Sequence, residues 1–235
     1  MQKTNRILGV STSLHIESRS RKFLESLELD RYESVVYKQM NLIDEKYRDV
    51  YCSACEKCAS SNSCMVEANN DVLEAVLEAD IIIISAPIYY GSLTGKTKSL
   101  MECFHPFREK QLEGKELIII LSSAKHGQEG IAVMQLLPWC YNHQIRLVQV
   151  ETIHDDTTAD EEFRIIDRIR QSILDIEIRK EVDVYFDNFK YLGKTVGVPI
   201  YYDIKKIDDW TIYQYSKTNK PKSEKLLGLL VWLKW

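Results

Sequence analysis

The chain has 235 residues, 45% of them apolar and 28% charged, which is enough for one sizeable globular domain and an appendage. Its net charge of −4 argues against nucleic acid or an anionic membrane surface as partner. No apolar run reaches the roughly 18 residues that a membrane span needs, and MQKTNRILGVSTS lacks the apolar core and cleavage site of a secretion signal, so a cytoplasmic location with reduced thiols is expected.

RILGVS (6–11) reads as a buried strand that runs into the loop GVSTSLHIESRS (9–20) and an amphipathic helix over 18–29. Ser11, Thr12, Ser13, Ser18 and Ser20 supply hydroxyls there, with Arg19 among them. Hydroxyls and free N–H groups at the start of a helix suit an anion; an ordinary turn with an N-cap serine is the rival reading. The loop has neither G-x-x-x-x-G-K-[ST] nor G-x-G-x-x-G, so it is not a nucleotide-hydrolase loop or a dinucleotide fingerprint. A single phosphate, as on a mononucleotide, suits it better.

SVVYKQM (34–40) is the second strand. The loop 51–65 then carries Cys52, Cys55, Cys58 and Cys64 in the spacing C-x2-C-x2-C-x5-C. In a reducing compartment clustered cysteines favour metal or redox use over disulfides. Soft thiolates select iron–sulfur clusters, zinc or Cu(I), and short C-x2-C-x2-C runs recur around iron–sulfur cubanes.

NDVLEAVLEA (70–79) is helical, with Asn69 or Asn70 as N-cap. DIIIISAP (80–87) is a strand covered on both faces. PIYYGSLTG (87–95) follows, offering Tyr89 and Tyr90 with Gly91 and Gly95, and SLTGKTKSLMECF (92–104) reads as a helix. ELIIILSS (116–123) is another buried strand, leading into AKHGQEG (124–130). A helix within 129–142 is expected to break or end near Pro138. IRLVQVETI (145–153) is the fifth strand, a long helix covers 159–180, and a second helix is expected over 182–196. Cys103 and Cys140 read as small buried hydrophobes, His105 and His143 as structural histidines on helices, and His154-Asp155-Asp156 as a polar turn rather than a metal site.

Strands alternating with helices predict a parallel, doubly wound α/β sheet whose ligand lies beyond the carboxyl ends of the strands. The loops after strands one, three and four would then outline a site for a phosphorylated planar molecule, and FMN fits best.

GVSTSLHIESRS resembles the phosphate loop of NADPH-dependent FMN reductases. PIYYGSLTGKTKSLMECF resembles their flavin-ring loop and following helix, and HGQE (126–129) their third loop. The cysteine run is similar to the compact motif of the iron–sulfur flavoproteins, a branch of the same superfamily. The resemblance covers roughly residues 5–155. It implies a flavodoxin-like fold with strand order 2-1-3-4-5 and one FMN per protomer. It implies that Ser11, Ser13, Ser18, Arg19 and Ser20 hold the phosphate. Pro87, Ile88, Tyr89, Tyr90, Gly91 and Ser92 would line the ring, with Ser123, Ala124 and Gly127 closing the site. Cys52, Cys55, Cys58 and Cys64 would ligate a [4Fe–4S] cluster, and the protomers would form a homodimer or homotetramer. Thr12, Leu14, His15, Ala54 and Lys125-His126 depart from the pattern, Ala54 standing where glycine is frequent.

The function implied is a flavin-dependent oxidoreductase with no catalytic side chain required, passing electrons between cluster, FMN and a small acceptor or redox partner. The donor would be NAD(P)H or ferredoxin. The alternatives are an NAD(P)H-dependent FMN or quinone reductase without a cluster, a non-enzymatic electron carrier, and a zinc-stapled binding protein. Residues 1–197 would form the flavin domain. The aromatic-rich 198–235, ending KLLGLLVWLKW, would be an interface or lid whose last segment, 222–235, supports oligomerisation.

Overall fold

The computed structural model describes residues 4–61, 63–107, 111–124 and 129–174, all within a first compact unit, Met1–Tyr185. The expected helices beyond 174, the extension from 198, the segment 222–235, and Lys125, His126 and Gly127 lie outside the described residues.

Five strands, β1 (Asn5–Ser11), β2 (Val35–Asn41), β3 (Ile81–Tyr89), β5 (Glu116–Ser123) and β6 (Arg146–His154), pair in parallel in the order β2-β1-β3-β5-β6. A two-residue strand, β4 (Ser92–Leu93), folds back antiparallel on the end of β3. With that stub set aside, the order is the expected flavodoxin-like one. Branched and aliphatic residues make the three central strands. Ile81 to Ile84 and Leu117 to Leu121 are at most 1% exposed, as needed when helices cover both faces.

The helices are α1 (Arg19–Ser26), α2 (Cys58–Ser61), α3 (Glu67–Glu78), α4 (Gly95–Glu102), α5 (Glu129–Asn142) and α6 (Ala159–Leu174). Phe23 and Leu24 of α1 and Ile165, Ile169 and Ile173 of α6 share one core with Ile7, Ile81, Ile83, Ile118 and Ile120. The alternate strand residues Leu8, Val10, Ile82, Ile84, Ile119 and Leu121 are buried on the opposite face.

Three expectations about where helices start or end are corrected. The helix expected from 92 begins at Gly95 behind the N-cap Thr94, because Ser92 and Leu93 are drawn into β4 and onto Gln135 of α5. α5 continues through Pro138. Leu136, Leu137, Trp139 and Cys140 around it are buried, and the Trp139 indole donates to the Met101 carbonyl at 3.1 Å, so packing offsets the lost helical bond. α3 starts at Glu67, and its N-cap position is Val66, not Asn69 or Asn70. Asn69 is wholly buried in the first turns of α3, with its amide turned to other partners.

His105 and His143 lie just past the ends of α4 and α5 rather than on them. The His143 ring packs on Phe104 and Trp139 at 5.7 and 5.5 Å between centroids. Burial, then the neighbouring His105, pulls its imidazole down to about 4. The unfolded chain therefore binds more protons than the folded one between about pH 4 and 6.5, and stability rises with pH across that window. Screening at this half-buried site leaves about 1–2 kcal/mol. The stability gained between pH 4 and pH 7 in urea unfolding should be smaller in His143→Phe than in the wild type by about that amount.

Gly9 in β1 lies under the Tyr37 ring of β2: an added Cβ would overlap the Tyr37 hydroxyl and stand 3.0 Å from two of its ring carbons. Gly9→Ala should cost about 1–3 kcal/mol by overpacking, read as a lower urea midpoint at unchanged slope.

Candidate functional site

The carboxyl ends of β1, β3, β5 and β6 open into a crevice of about 760 Å3. It sits beside the β1/β3 junction, where the chain changes direction across the sheet. Its walls include Ser13, Ser18, Arg19 and Ser20 from the first loop, Pro87, Ile88, Tyr89 and Tyr90 from the second, and Ser123 and Ala124 from the third. Ten expected residues thus meet in one cavity. Ser11 stands behind this wall: it ends β1, buried, in register with Asn41 and Ser85. Gly91 and Ser92 also lie off the wall.

Local chemistry explains the first loop. Ser18 caps α1, its hydroxyl accepting from the Arg21 N–H at 3.2 Å, and Ser13 accepts from the His15 N–H at 3.2 Å. Ser20 bonds Ser122 at 2.9 Å, tying the loop to the end of β5. Thr12 is buried, and its hydroxyl bonds Thr97 at 2.8 Å. Thr97 in turn meets Thr94 at 2.9 Å, so the loop is fastened to the start of α4. Arg19 donates to the His154 carbonyl and lies 3.5 Å from Asp155. Lys22 pairs with Glu17 at 2.8 Å and holds that carboxyl below its usual range. Both acids at the mouth therefore have a cation beside them, and the N-terminus of α1 adds its own positive end.

The second loop is a two-residue hairpin. Tyr89 pairs with Ser92, and Tyr90 and Gly91 between them take φ of 53° and 73°. Gly91 meets that demand freely; Tyr90 does so against its preference and stands fully exposed at the rim. Ser92 is held away by Gln135, whose amide donates to its hydroxyl at 3.0 Å.

His15, Glu17, Ser122 and Asp155 also line the crevice and were not expected to. Asp155 and Asp156 form the polar turn expected after the fifth strand, while His154 ends β6, in register with Ser123 of β5, and is 4% exposed. Its Nδ1 lies 3.0 Å from the Ser123 hydroxyl and its Nε2 3.0 Å from a Glu129 carboxylate oxygen. A serine and a histidine that end neighbouring strands, with an acid opening the intervening helix, are the sequence signal for this cluster.

The cysteine loop lies apart from these walls. Cys55 is exposed, and Cys52, Cys58 and Cys64 are half-buried. Ala54 and Glu56 alternate through left-handed φ of 53° and 57°. That explains why glycine suits position 54, and Ala54→Gly should stabilise the fold by about 1 kcal/mol in urea melts. The Lys57 N–H, then the Ser53 hydroxyl, holds the Cys55 thiol below its ordinary value. Cys64 accepts from Asn69 Nδ2 at 3.1 Å and from the Val66 N–H at 3.4 Å, and Cys52 lies 3.4 Å from His105 Nδ1. Burial pushes the Cys103 thiol up to about 12, so it stays protonated and donates to Asn69 Oδ1 at 3.2 Å. Cys140, also buried, is pushed up too. Among the described residues no three His, Cys, Asp or Glu side chains converge as a metal site. The donor set is nevertheless of the right chemistry: soft thiols, one acidified, with N–H donors aimed at sulfur.

Lys96, in the first turn of α4 just beyond the second loop, ties that helix to the segment leading into the cysteine loop. Its ammonium donates to the carbonyls of Tyr47, Arg48 and Val50 at 3.2, 2.6 and 3.2 Å. Burial lowers its pKa.

A family model described as NADPH-dependent FMN reductase matches residues 5–158. An iron–sulfur flavoprotein of Methanocaldococcus jannaschii is 26% identical over 147 residues, 61% of this chain and 75% of that protein. The apo form of an NADH:FMN oxidoreductase superposes with a TM-score of 0.56 at 18% identity, over 72% of this chain and 90% of that one. An FMN-dependent NADH-azoreductase of Bacillus anthracis, in complex with FMN, does so with a TM-score of 0.54 at 15% identity, over 73% of this chain and 100% of that one. At such identities the two structures establish a shared fold.

Proposed function

The chain belongs to the NADPH-dependent FMN reductase family and is a flavin-dependent oxidoreductase, and from that premise we propose that it passes electrons between FMN in the crevice, a [4Fe–4S] cluster on the cysteine loop, and a small acceptor or redox partner protein. The observation that carries the flavin half is the convergence of three strand-end loops on one cavity with a hydroxyl-rich wall, a helix N-terminus and two tyrosines. Ser13, Ser18, Arg19 and Ser20 would hold the phosphate, and Pro87, Ile88, Tyr89 and Tyr90 the ring. FMN supplies hydride acceptance and single-electron release, while the protein binds, orients and excludes water.

Support for the cluster is the thiol spacing, the acidified Cys55, and the hydrogen bonds to Cys64, together with the name of the M. jannaschii relative. Cys52, Cys55, Cys58 and Cys64 would be its ligands, a cluster supplying one-electron transfer. The protein would work in the cytoplasm as a homodimer or homotetramer, drawing electrons from NAD(P)H or ferredoxin. Among the described residues no helix is long and apolar enough to cross a membrane.

A second reading, an NAD(P)H-dependent FMN or quinone reductase without a cluster, is favoured by the dispersed thiols. Purification without oxygen, followed by a visible spectrum and by iron, sulfide and flavin assays, separates the two. About four irons and four sulfides per chain with one flavin support the first. Flavin alone supports the second, and a colourless protein that rejects FMN overturns both.

A further inference from the structure

One cation holds the segment through which the chain enters the cysteine loop. That segment leaves a short helical turn, Glu45–Tyr47, and runs to Val50, which is 1% exposed and stands two residues before Cys52. The ammonium of the half-buried Lys96 donates to its carbonyls at Tyr47, Arg48 and Val50. An ammonium has three hydrogens, and each finds one carbonyl. A neutral amine has only two and would turn its lone pair on the third carbonyl, so this cage selects the charged form.

Carbonyls satisfy the hydrogens without cancelling the charge. Asp49, the acid whose field reaches the ammonium, is exposed, where water screens it. On the other side the charge looks toward the thiols. Cys103, buried at the end of α4, feels Cys64, Cys52 and Lys96 together. It donates to Asn69, whose amide donates in turn to Cys64. Lys96 thus stands as an unneutralised, half-buried cation at the root of a loop that carries four thiols. It lies off the crevice wall.

We propose that Lys96 is a positioning residue for the cysteine loop, and that its fixed positive charge makes a cluster bound there easier to reduce. The inference rests on the [4Fe–4S] reading of that loop. On reduction the loop and its cluster gain one electron, and so one negative charge, from an external one-electron donor; no bond is made or broken. A nearby cation that water screens only in part favours the more negative state. Lys96 needs no proton transfer to do this, since its charge is the same before and after.

The full chain, purified without oxygen and assayed for iron and sulfide, is titrated with dithionite through mediator dyes while the electron spin resonance of the reduced cluster is recorded. Lys96→Gln keeps an amide that can donate to the carbonyls and loses the charge. At a given potential its oxidised-to-reduced ratio should rise about three- to tenfold, a midpoint lower by about 30–60 mV at about 59 mV per tenfold. Lys96→Met, also neutral, should fall likewise. Lys96→Arg should keep the wild-type midpoint, and so should Lys98→Met, which removes an exposed charge from the same helix. FMN affinity, read by fluorescence quenching, should be equal in all of them. A neutral variant with full iron and the wild-type midpoint, or an equal fall in Lys98→Met, would overturn the electrostatic role. Loss of iron from both neutral variants would make Lys96 a mechanical clamp and overturn it too. A wild type that carries no iron would remove the cluster reading and this inference together.

Discussion

Asn69→Leu should lower stability by about 2–4 kcal/mol and, if the cysteine loop carries the cluster proposed above, lower the iron content of protein purified without oxygen. The side chain is wholly buried, and leucine has nearly its shape, so the loss is one of hydrogen bonds rather than volume. Asn69 Nδ2 donates to the Tyr51 carbonyl at 2.8 Å and to Cys64 Sγ at 3.1 Å. Asn69 Oδ1 accepts from the Tyr51 N–H at 3.2 Å and from the Cys103 thiol at 3.2 Å. Leucine leaves the main-chain groups of Tyr51 without these partners, at about 1–3 kcal/mol each before solvent compensates. Those groups open the cysteine loop, and Cys64 closes it. One amide therefore clips both ends of the loop to α3. Urea melts measure the first effect without any metal. Iron and sulfide assays measure the second. A variant that melts early yet keeps wild-type iron would show that the loop holds its shape without the clip. Asn69→Asp should be the more damaging change, since it removes both donors and buries a negative charge beside the Cys64 sulfur.

Asn69 also marks where reading the chain by local rules failed. Asparagine ahead of an apolar helical run favours an N-cap because the rule counts only neighbours in sequence. The helix instead starts earlier, behind Val66, and the amide answers to Tyr51, Cys64 and Cys103. The strands were legible for the opposite reason. A run such as Ile81 to Ile84 has one favourable fate, burial between two layers, whatever lies around it. The first loop was legible because a hydroxyl-rich turn before a helix carries its chemistry locally. The meeting of Ser123 with Glu129 and His154 was not, since it depends on the β5/β6 register and on where α5 begins. Pro138 is a similar case: a local rule against helix yields to burial of the residues on either side.

Arg19→Ala should weaken FMN binding about 10- to 100-fold while leaving riboflavin binding nearly unchanged. A hydrogen bond to a charged group is worth about 1.5–3 kcal/mol, and each 1.4 kcal/mol is tenfold in affinity. Arg19 stands at the first position of α1 on the crevice wall, beside the capping Ser18. Its side chain is 37% exposed and its partner Asp155 74%, so that pair contributes little and gives way readily to a phosphate. Its bond to the His154 carbonyl supplies the rival account, in which Arg19 is a strut between α1 and the end of β6. The two accounts part at the ligand without a phosphate. A phosphate-binding arginine distinguishes FMN from riboflavin, so the ratio of their dissociation constants, read by quenching of flavin fluorescence, should collapse in the variant. A strut affects both flavins alike. A variant that loses affinity for both in equal measure, with a lower urea midpoint, would remove Arg19 from the phosphate site and leave that work to the serines and the helix N-terminus.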